Sequence, residues 1–404
     1  MKSLIYNLFF NSIYFFLNLL NPLIKIRFLQ VETRAIGHMS QPIEIHLQEK
    51  KSKIVNNFFF DIYFPQNKIA NLYLWEKWKT ILNIKIPGNI SRFFFEPIFF
   101  IALKNNNKNM LVPFRHNTNT YFGKSFESCW QAQDINKVLD KSIPLITFSN
   151  EEKKKAFNFL NKNNISEDDK IILLVNRDPK YRHEQNVNKI SNEYTYRDQD
   201  ISLFDEAVEY LCSLNYKVIR MGKNMDKRLN IKNPNFFDYA FSNERSDFLD
   251  IYLFKICDFV ISTGTGLDNV ASLFRKKILH INYADLLLMR YLNSNVSLIC
   301  PKKFIDAETN KELTIFEIYE KLPKNSNFTD CNDFLKKENI KYKSLNRNEI
   351  KYSCIEMIEF LTKGLNSETI SLNKKVKEMF LNKYGISFNS NFCKTYSNCL
   401  KENN

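Results

Sequence analysis

Residues 257–274, CDFVISTGTGLDNVASLF, decide the fold. A short aromatic and β-branched run, Phe259-Val260-Ile261, has strand character, Gly264 and Gly266 break it, and apolar residues resume at helical spacing from Leu267 to Phe274. A strand that passes through a threonine-glycine bend straight into a helix is one unit of a parallel α/β sheet. Gly264 and Gly266 allow backbone to approach a ligand closely, and Thr263 and Thr265 supply hydroxyl donors. A helix opening there would add free N–H groups and its positive dipole end, a combination that suits a phosphate. With no ligand in view, the same residues make a tight strand–helix turn capped by threonine. The lysine of a Walker A loop is missing, and so is G-x-G-x-x-G, which weighs against an NTPase or a dinucleotide-dependent enzyme.

Strand and helix alternate on both sides of this segment. IILLVNRD (171–178), a helix at 203–214, YKVIRMG (216–222), a helix near 246–256, DFVISTG (258–264), a helix at 266–274 and KILHIN (277–282) predict a doubly wound parallel sheet over residues 170–300. Ligands of such sheets sit at the carboxyl ends of the strands. That singles out Asn176–Asp178, Arg220–Gly222, Ser262–Gly266 and Asn282.

A chain of 404 residues exceeds what one core usually serves, so two domains are expected. The charged stretch EEKKKAFNFLNKNNISEDD (151–169) reads as a helix and linker between them. Ahead of it, residues 30–150 predict a second α/β domain. There, 31–49 reads as a strand, a Gly37-His38 turn and another apolar stretch, 69–82 as a helix, and the runs near 93–103 and 110–114 as strands. Residues 301–404 contain helical stretches, including 349–363, that would pack back on both domains.

Residues 4–20, LIYNLFFNSIYFFLNLL, are apolar enough to suggest a membrane segment, yet Asn7, Asn11, Asn18 and Asn21 fall within about 80° of one another on a helical wheel. Residues 1–29 therefore predict an amphipathic helix. With Lys2 before it and Lys25 and Arg27 after it, such a helix could lie on the cytoplasmic leaflet or dock on its own domain.

The formal charge of +14 divides into +3 for residues 1–29, +6 for 30–150, +2 for 151–164, −1 for 165–300 and +4 for 301–404. The segment with the strongest motif is thus almost neutral, and no basic-aromatic sheet motif or zinc-finger spacing occurs, so nucleic acid is not an expected partner. An anionic membrane surface or an acidic acceptor fits the basic excess better. The eight cysteines contain no C-x-x-C pair and several lie in apolar runs, which reads as reduced thiols in a cytoplasmic protein. No histidine spacing predicts a metal.

The run R-D-x-x-Y at 177–181, Y-R-D-x-D-I at 196–201, VIRMGK at 218–223, RSDFLDIYLFKICDFVISTGTGL at 245–267 and HIN at 280–282 resembles a family of bacterial glycosyltransferases found in surface-polysaccharide clusters. The resemblance covers roughly residues 31–290, and the TGTGL-helix element is similar to the donor loop of the lipopolysaccharide heptosyltransferases, which are GT-B enzymes. It implies two Rossmann-like domains with parallel sheets, the second binding a nucleotide sugar and the first facing a surface-glycan or lipid-linked acceptor. It implies no cofactor and no metal. Localisation would be cytoplasmic, with peripheral contact at the inner face of the plasma membrane.

By the same resemblance Arg177, with Arg220 as a second candidate, would reach the donor phosphates, joined by Gly222, Ser246, Asp247, Thr263, Gly264, Thr265 and Gly266. A guanidinium forks onto phosphate oxygens. Either arginine could instead pair with Asp178 or Asp198, Asp247 or Asp250 could accept ribose hydroxyls, and Ser246 or Asp247 could simply cap a helix. Asp198-Gln199-Asp200 has the D-x-D form of a metal-binding pair, but it precedes an apolar-periodic helix where Asp200 makes an N-cap. For the base that an inverting transfer needs, His38 is the first candidate, ahead of Asp61 and His183. A catalytically silent glycan-binding protein of the same shape, or a transferase of another group such as pyruvyl, are the alternatives.

Overall fold

The structure, a computed structural model, describes residues 2–54, 58–112, 134, 136–180, 195–284, 297–321, 331–384 and 390–394. The chain divides into two compact units, Met1–Thr147 and Phe148–Asn404.

In the first unit a helix, Lys2–Ile24, leads into strand β1 (Ile26–Val31), and β2 (Phe60–Pro65) pairs with it in parallel, Arg27 opposite Asp61 and Val31 opposite Pro65. Leu111 adds an isolated parallel bridge to Phe28. Three expectations change here. Residues 26–29, read as part of an amphipathic helix over 1–29, belong to β1. Residues 36–39 and 41–51 are helical, with Pro42 in the first turn, where 31–49 had been read as strand, turn and apolar stretch. Nearly every side of Gln41–Lys51 is buried, and its polar groups are satisfied inside: Gln48 donates to Glu44, which accepts from the Leu145 amide. A helix enclosed all round shows no amphipathic period. The aromatic run at 93–103 also belongs to a helix, Gly88–Lys104, whose buried residues Ser91, Ile98, Phe99, Ala102 and Leu103 recur at helical spacing. Length decides between strand and helix for such runs, and seventeen residues exceed a strand.

The second unit opens on the helix Asn150–Lys162, started by a reciprocal cap between Ser149 and Glu152. This helix lies inside the unit, and the break precedes it, between Thr147 and Phe148. Then come β3 (Ile171–Val175), β4 (Lys217–Met221), β5 (Phe236–Phe237), β6 (Phe259–Ser262), β7 (Lys277–Tyr283) and β8 (Leu298–Pro301). Three short strands follow, β9 (Lys303–Asp306), β10 (Glu312–Leu313) and β11 (Ile340–Lys343), forming an antiparallel sheet in the order β10-β9-β11. Finally β12 (Asn391–Phe392) joins the main sheet, whose order is β12-β8-β7-β6-β3-β4-β5 with every pairing parallel. The C-terminal hundred residues, read as helical, thus supply four strands as well.

Strands covered on both faces read as continuous apolar runs, which is why IILLV and FVIS were visible in the sequence. Leu174, Val218, Ile261, Leu279 and Cys300 of the sheet pack against Val208 and Leu211 of the helix Asp205–Ser213 and Ile350, Cys354 and Met357 of the helix Arg347–Lys363. Each such enclosed aliphatic side chain contributes about 1.5–3 kcal/mol relative to exposure. A second cluster, built on Phe304, Ile315, Tyr319, Val376, Phe380 and Phe392, joins the small antiparallel sheet to the end of the large one. Cys212, Cys257, Cys300, Cys354 and Cys393 are free, buried thiols. Burial pushes Cys212 and Cys257 up to about 12, which leaves them little thiolate and makes them packing residues.

Candidate functional site

The chain enters the large sheet at an interior strand, β3, builds outward through β4 to β5, then returns to the other side of β3 and continues through β6, β7 and β8. The border between β3 and β6 is therefore the point where the strand order reverses. Connections leave in opposite directions there, opening a crevice outside the carboxyl ends, the place where doubly wound sheets hold ligands. Two contacts close its floor. The Arg177 amide donates to the Thr263 hydroxyl at 2.8 Å, and the Thr263 amide donates to the Val175 carbonyl at 3.1 Å.

The bend at 263–268 differs in one respect from its sequence reading. Most of its amides are already engaged: Gly264 N–H by Ser262 Oγ at 3.2 Å, Thr265 N–H by Asp268 Oδ2 at 3.0 Å, and Leu267 N–H by Thr265 Oγ1 at 3.1 Å. Asp268 also accepts from Ser262 Oγ, and its carboxylate lies 3.7 Å from Nδ1 of the enclosed His280. The helix that follows, Asp268–Leu273, is six residues long. A short helix with a carboxylate across its start offers little net positive potential. Anion affinity at this place falls instead to side-chain cations. Gly264 itself is required: its φ is +82°, and a Cβ there would stand 3.2 Å from the Tyr283 ring. Gly266 is exposed at the tip.

Among the described residues, two arginines stand at this border. Arg177 Nε lies 3.3 Å from Asp198 Oδ1, the ion pair that had been the alternative reading for this arginine. Arg197 donates from Nη2 to the Gly264 carbonyl at 2.8 Å, which ties the segment 195–200 to the bend. Lys302, directly after β8, holds the same segment by donating to the Tyr196 and Asp198 carbonyls at 2.7 and 3.1 Å. Tyr196 stacks on Tyr342 of β11, with 5.7 Å between centroids. Arg197 and Lys302 were not among the sequence candidates. The rule that selected Arg177, a cation next to a strand's carboxyl end, applies equally to Lys302, and Arg197 stands inside the quoted Y-R-D run.

Arg220 is placed differently. It is fully enclosed on β4, donates to Asp238 at 3.2 Å, and faces the Phe241 ring, so its guanidinium is not open to a diphosphate in this conformation. Burial works against both charges of this pair, pulling the guanidinium down and pushing the Asp238 carboxyl up, while each opposes the other's shift. Its Nε and Nη2 have no partner among the described residues. Gly222, after β4, lets the chain turn against Met225, whose Cγ would be 2.8 Å from an added Cβ. Asp178 accepts from the Lys180 and Asp226 amides and so shapes that turn.

Ser246 caps: its hydroxyl accepts from the Leu249 amide at 3.2 Å, at the start of the helix Leu249–Ile256. Asp250 is bound by Arg245 and by the Tyr239 hydroxyl, so it is occupied within the protein. Burial raises its carboxyl to about 6 against the pull of Arg245 and Tyr239, and Asp247 adds to the rise. Asp200 caps the turn Ile201–Phe204 through the Ser202 amide, while Asp198 faces Arg177, so the two carboxylates of the D-x-D serve separate partners. Among the described residues no group of three or more His, Cys, Asp and Glu is arranged to hold a metal ion.

In the first unit His38 lies in a helical turn, Ile36–Met39, instead of an open turn, and its Nδ1 is 3.3 Å from Glu32 Oε2. Asp61 is enclosed between Arg27 and Lys50 and accepts from Tyr63. Burial alone would raise this carboxyl, but the two cations outweigh it and hold it below the ordinary carboxylate range, which makes it a poor base. His183 and Tyr181 lie outside the described residues.

No protein-family model matches the chain, and no curated protein matches it significantly. Among solved structures it is similar to a glycosyl transferase family 9 protein from Veillonella parvula, at 11% identity and a TM-score of 0.31, over 63% of this chain and 79% of that one. It is also similar to a UDP-N-acetylglucosamine 2-epimerase, at 12% identity and a TM-score of 0.31, over 83% of this chain and 96% of the other. Likeness at this level transfers neither substrate nor mechanism. The fold stated above rests on the sheet's own order.

Proposed function

We propose that the chain is a glycosyltransferase that takes a sugar from a nucleotide-sugar donor without a metal and passes it to a surface-glycan or lipid-linked acceptor. The observation that carries this reading is the reversal of strand order between β3 and β6, with Thr263 and Gly264 at its floor and Arg177 and Arg197 beside it. The donor's diphosphate lies across this border. Arg177 and Arg197 bind its oxygens and stabilise the negative charge that builds on the departing nucleoside diphosphate. Gly264 keeps the backbone low enough for phosphate to approach, and the pair of Arg220 on β4 with Asp238 after β5 positions the adjoining loop without touching the donor.

On the acceptor side the base is His38, whose imidazole lies beside the Glu32 carboxylate. Calorimetric titration with nucleoside diphosphates, followed by a screen for slow hydrolysis of nucleotide sugars, tests the assignment. Binding of at least one diphosphate is expected, weakened about tenfold or more in Arg177→Ala and Arg197→Ala, the loss of a charge-assisted contact. His38→Gln should abolish transfer and leave diphosphate binding intact. No affinity for any nucleoside diphosphate would sink the donor site, and binding without turnover of any nucleotide sugar would favour a silent glycan-binding protein.

A further inference from the structure

The helix Lys2–Ile24 has two faces with different fates. Phe10 and Asn21 are buried, and Ile13, Tyr14 and Leu17 are partly covered, where the helix packs on Gly88–Lys104. Side chains lock this docking: Asn107 donates to the Tyr14 hydroxyl at 3.0 Å and to Asn18 at 2.6 Å, and Asn21 donates to the Asn109 carbonyl at 2.8 Å. On the opposite side Leu4, Leu8, Phe15, Leu19 and Leu23 are each more than half exposed. With Ile5, Phe9 and Phe16 they fill an arc of about 140° on a wheel turning about 100° per residue. Ring contacts run from the edge of this face through the buried Phe10 to the second helix, Phe9 to Phe10 at 5.1 Å and Phe10 to Phe93 at 6.1 Å, where Phe93 is itself 55% exposed.

An apolar face of this extent on a folded unit marks a surface meant to be covered. Charge says by what. Residues 1–147 contain 18 Lys and Arg against 9 Asp and Glu, a formal +9 of the chain's +14. Lys25 follows the first helix with its ammonium 5.5 Å from the centroid of the exposed Phe58 ring, and Lys104, the last residue of the second helix, and Lys108 just beyond it are exposed. Apolar side chains flanked by cations match the headgroup zone of an anionic bilayer, with the carbon chains below and phosphates above.

We infer that this two-helix face is an in-plane docking surface for an anionic membrane. The segment Leu4–Ile24 is long and apolar enough to span, but spanning would strip Phe10 and Tyr14 from their packing and carry Asn7, Asn11, Asn18 and Asn21 into hydrocarbon. Lying flat keeps every one of those contacts.

The test is flotation of the full chain with mixed phosphatidylglycerol–phosphatidylcholine vesicles and with phosphatidylcholine alone, at low and high salt. Recruitment to the anionic vesicles, weakened by salt, is expected. The triple change Leu8→Asn, Phe15→Asn and Leu19→Asn, all at exposed positions, should lower partitioning at least about tenfold. Phe93→Asn with Phe94→Asn, on the other helix, should lower it separately, while Ile370→Asn, exposed in the second unit, should not. Absence of recruitment, or recruitment unchanged in both patch variants, overturns the inference. So does resistance to carbonate extraction, which would mark a spanning helix, or a dimer that dissolves in the triple variant without any vesicle binding, which would assign the face to a second copy.

Discussion

The backbone amide of Arg177 and the side-chain hydroxyl of Thr263 meet at 2.8 Å across 86 residues of sequence, joining the ends of β3 and β6 at the reversal point of the sheet. Strand pairing ends at Val175 and Ser262, so this bond extends the join one step into the site. Thr263 is buried.

Thr263→Val keeps the shape and removes the acceptor that this part-buried N–H uses. A loss of about 1–3 kcal/mol is expected in denaturant unfolding, with Thr263→Ser close to wild type. Equal stability of the valine variant would show that the contact is dispensable.

Gly264→Ala places a side chain on a backbone at φ +82°, 3.2 Å from the Tyr283 ring. Strain and crowding together should cost on the order of 1–3 kcal/mol. Adding Tyr283→Leu should recover the crowding part and leave the dihedral part, a partition readable from thermal midpoints of the two variants.

The Arg220–Asp238 pair is enclosed, so removing one partner strands the other charge. Arg220→Met is expected to destabilise by about 3–5 kcal/mol, whereas Arg220→Met with Asp238→Leu should be milder than the single change. A double variant as unstable as the sum of its singles would argue against coupling.

Burial pulls His46 down to about 4, with Asp61 opposing and Lys50 and Arg27 reinforcing. The folded chain therefore binds this proton less readily than the unfolded chain between about pH 6.5 and 4, and stability falls as pH drops through that window. Asp250, raised to about 6, acts in the reverse sense: its contribution is greatest at low pH and is lost as pH rises toward 6. Thermal midpoints from pH 7.5 to 4.5 should fall less steeply in His46→Gln than in wild type, and more steeply in Asp250→Asn. Parallel curves for all three proteins would refute both assignments.

The strand-bend-helix at 257–274 and the alternation around it were legible because they are local. An enclosed parallel strand is a short apolar run, a bend needs glycine, and both signals sit within a few residues. Asp200 as a cap and the helices at 72–81 and 347–363 were legible for the same reason. The helices at 41–51 and 88–104 were not. One is covered on every side and shows no period, and the other is composed of aromatics that favour strands when exposed faces are absent from view.

The sequence by itself determined four of the parallel strands, β3, β4, β6 and β7, and where their carboxyl ends lie. Only the tertiary structure decided what gathers there: Arg197 against Gly264, Lys302 on the Tyr196 carbonyl from 106 residues away, Asp268 folded back over the bend, and Arg220 enclosed on β4. Those placements depend on strand order and on contacts between distant residues, and hydrophobic periodicity encodes which face of an element is buried without encoding its neighbour.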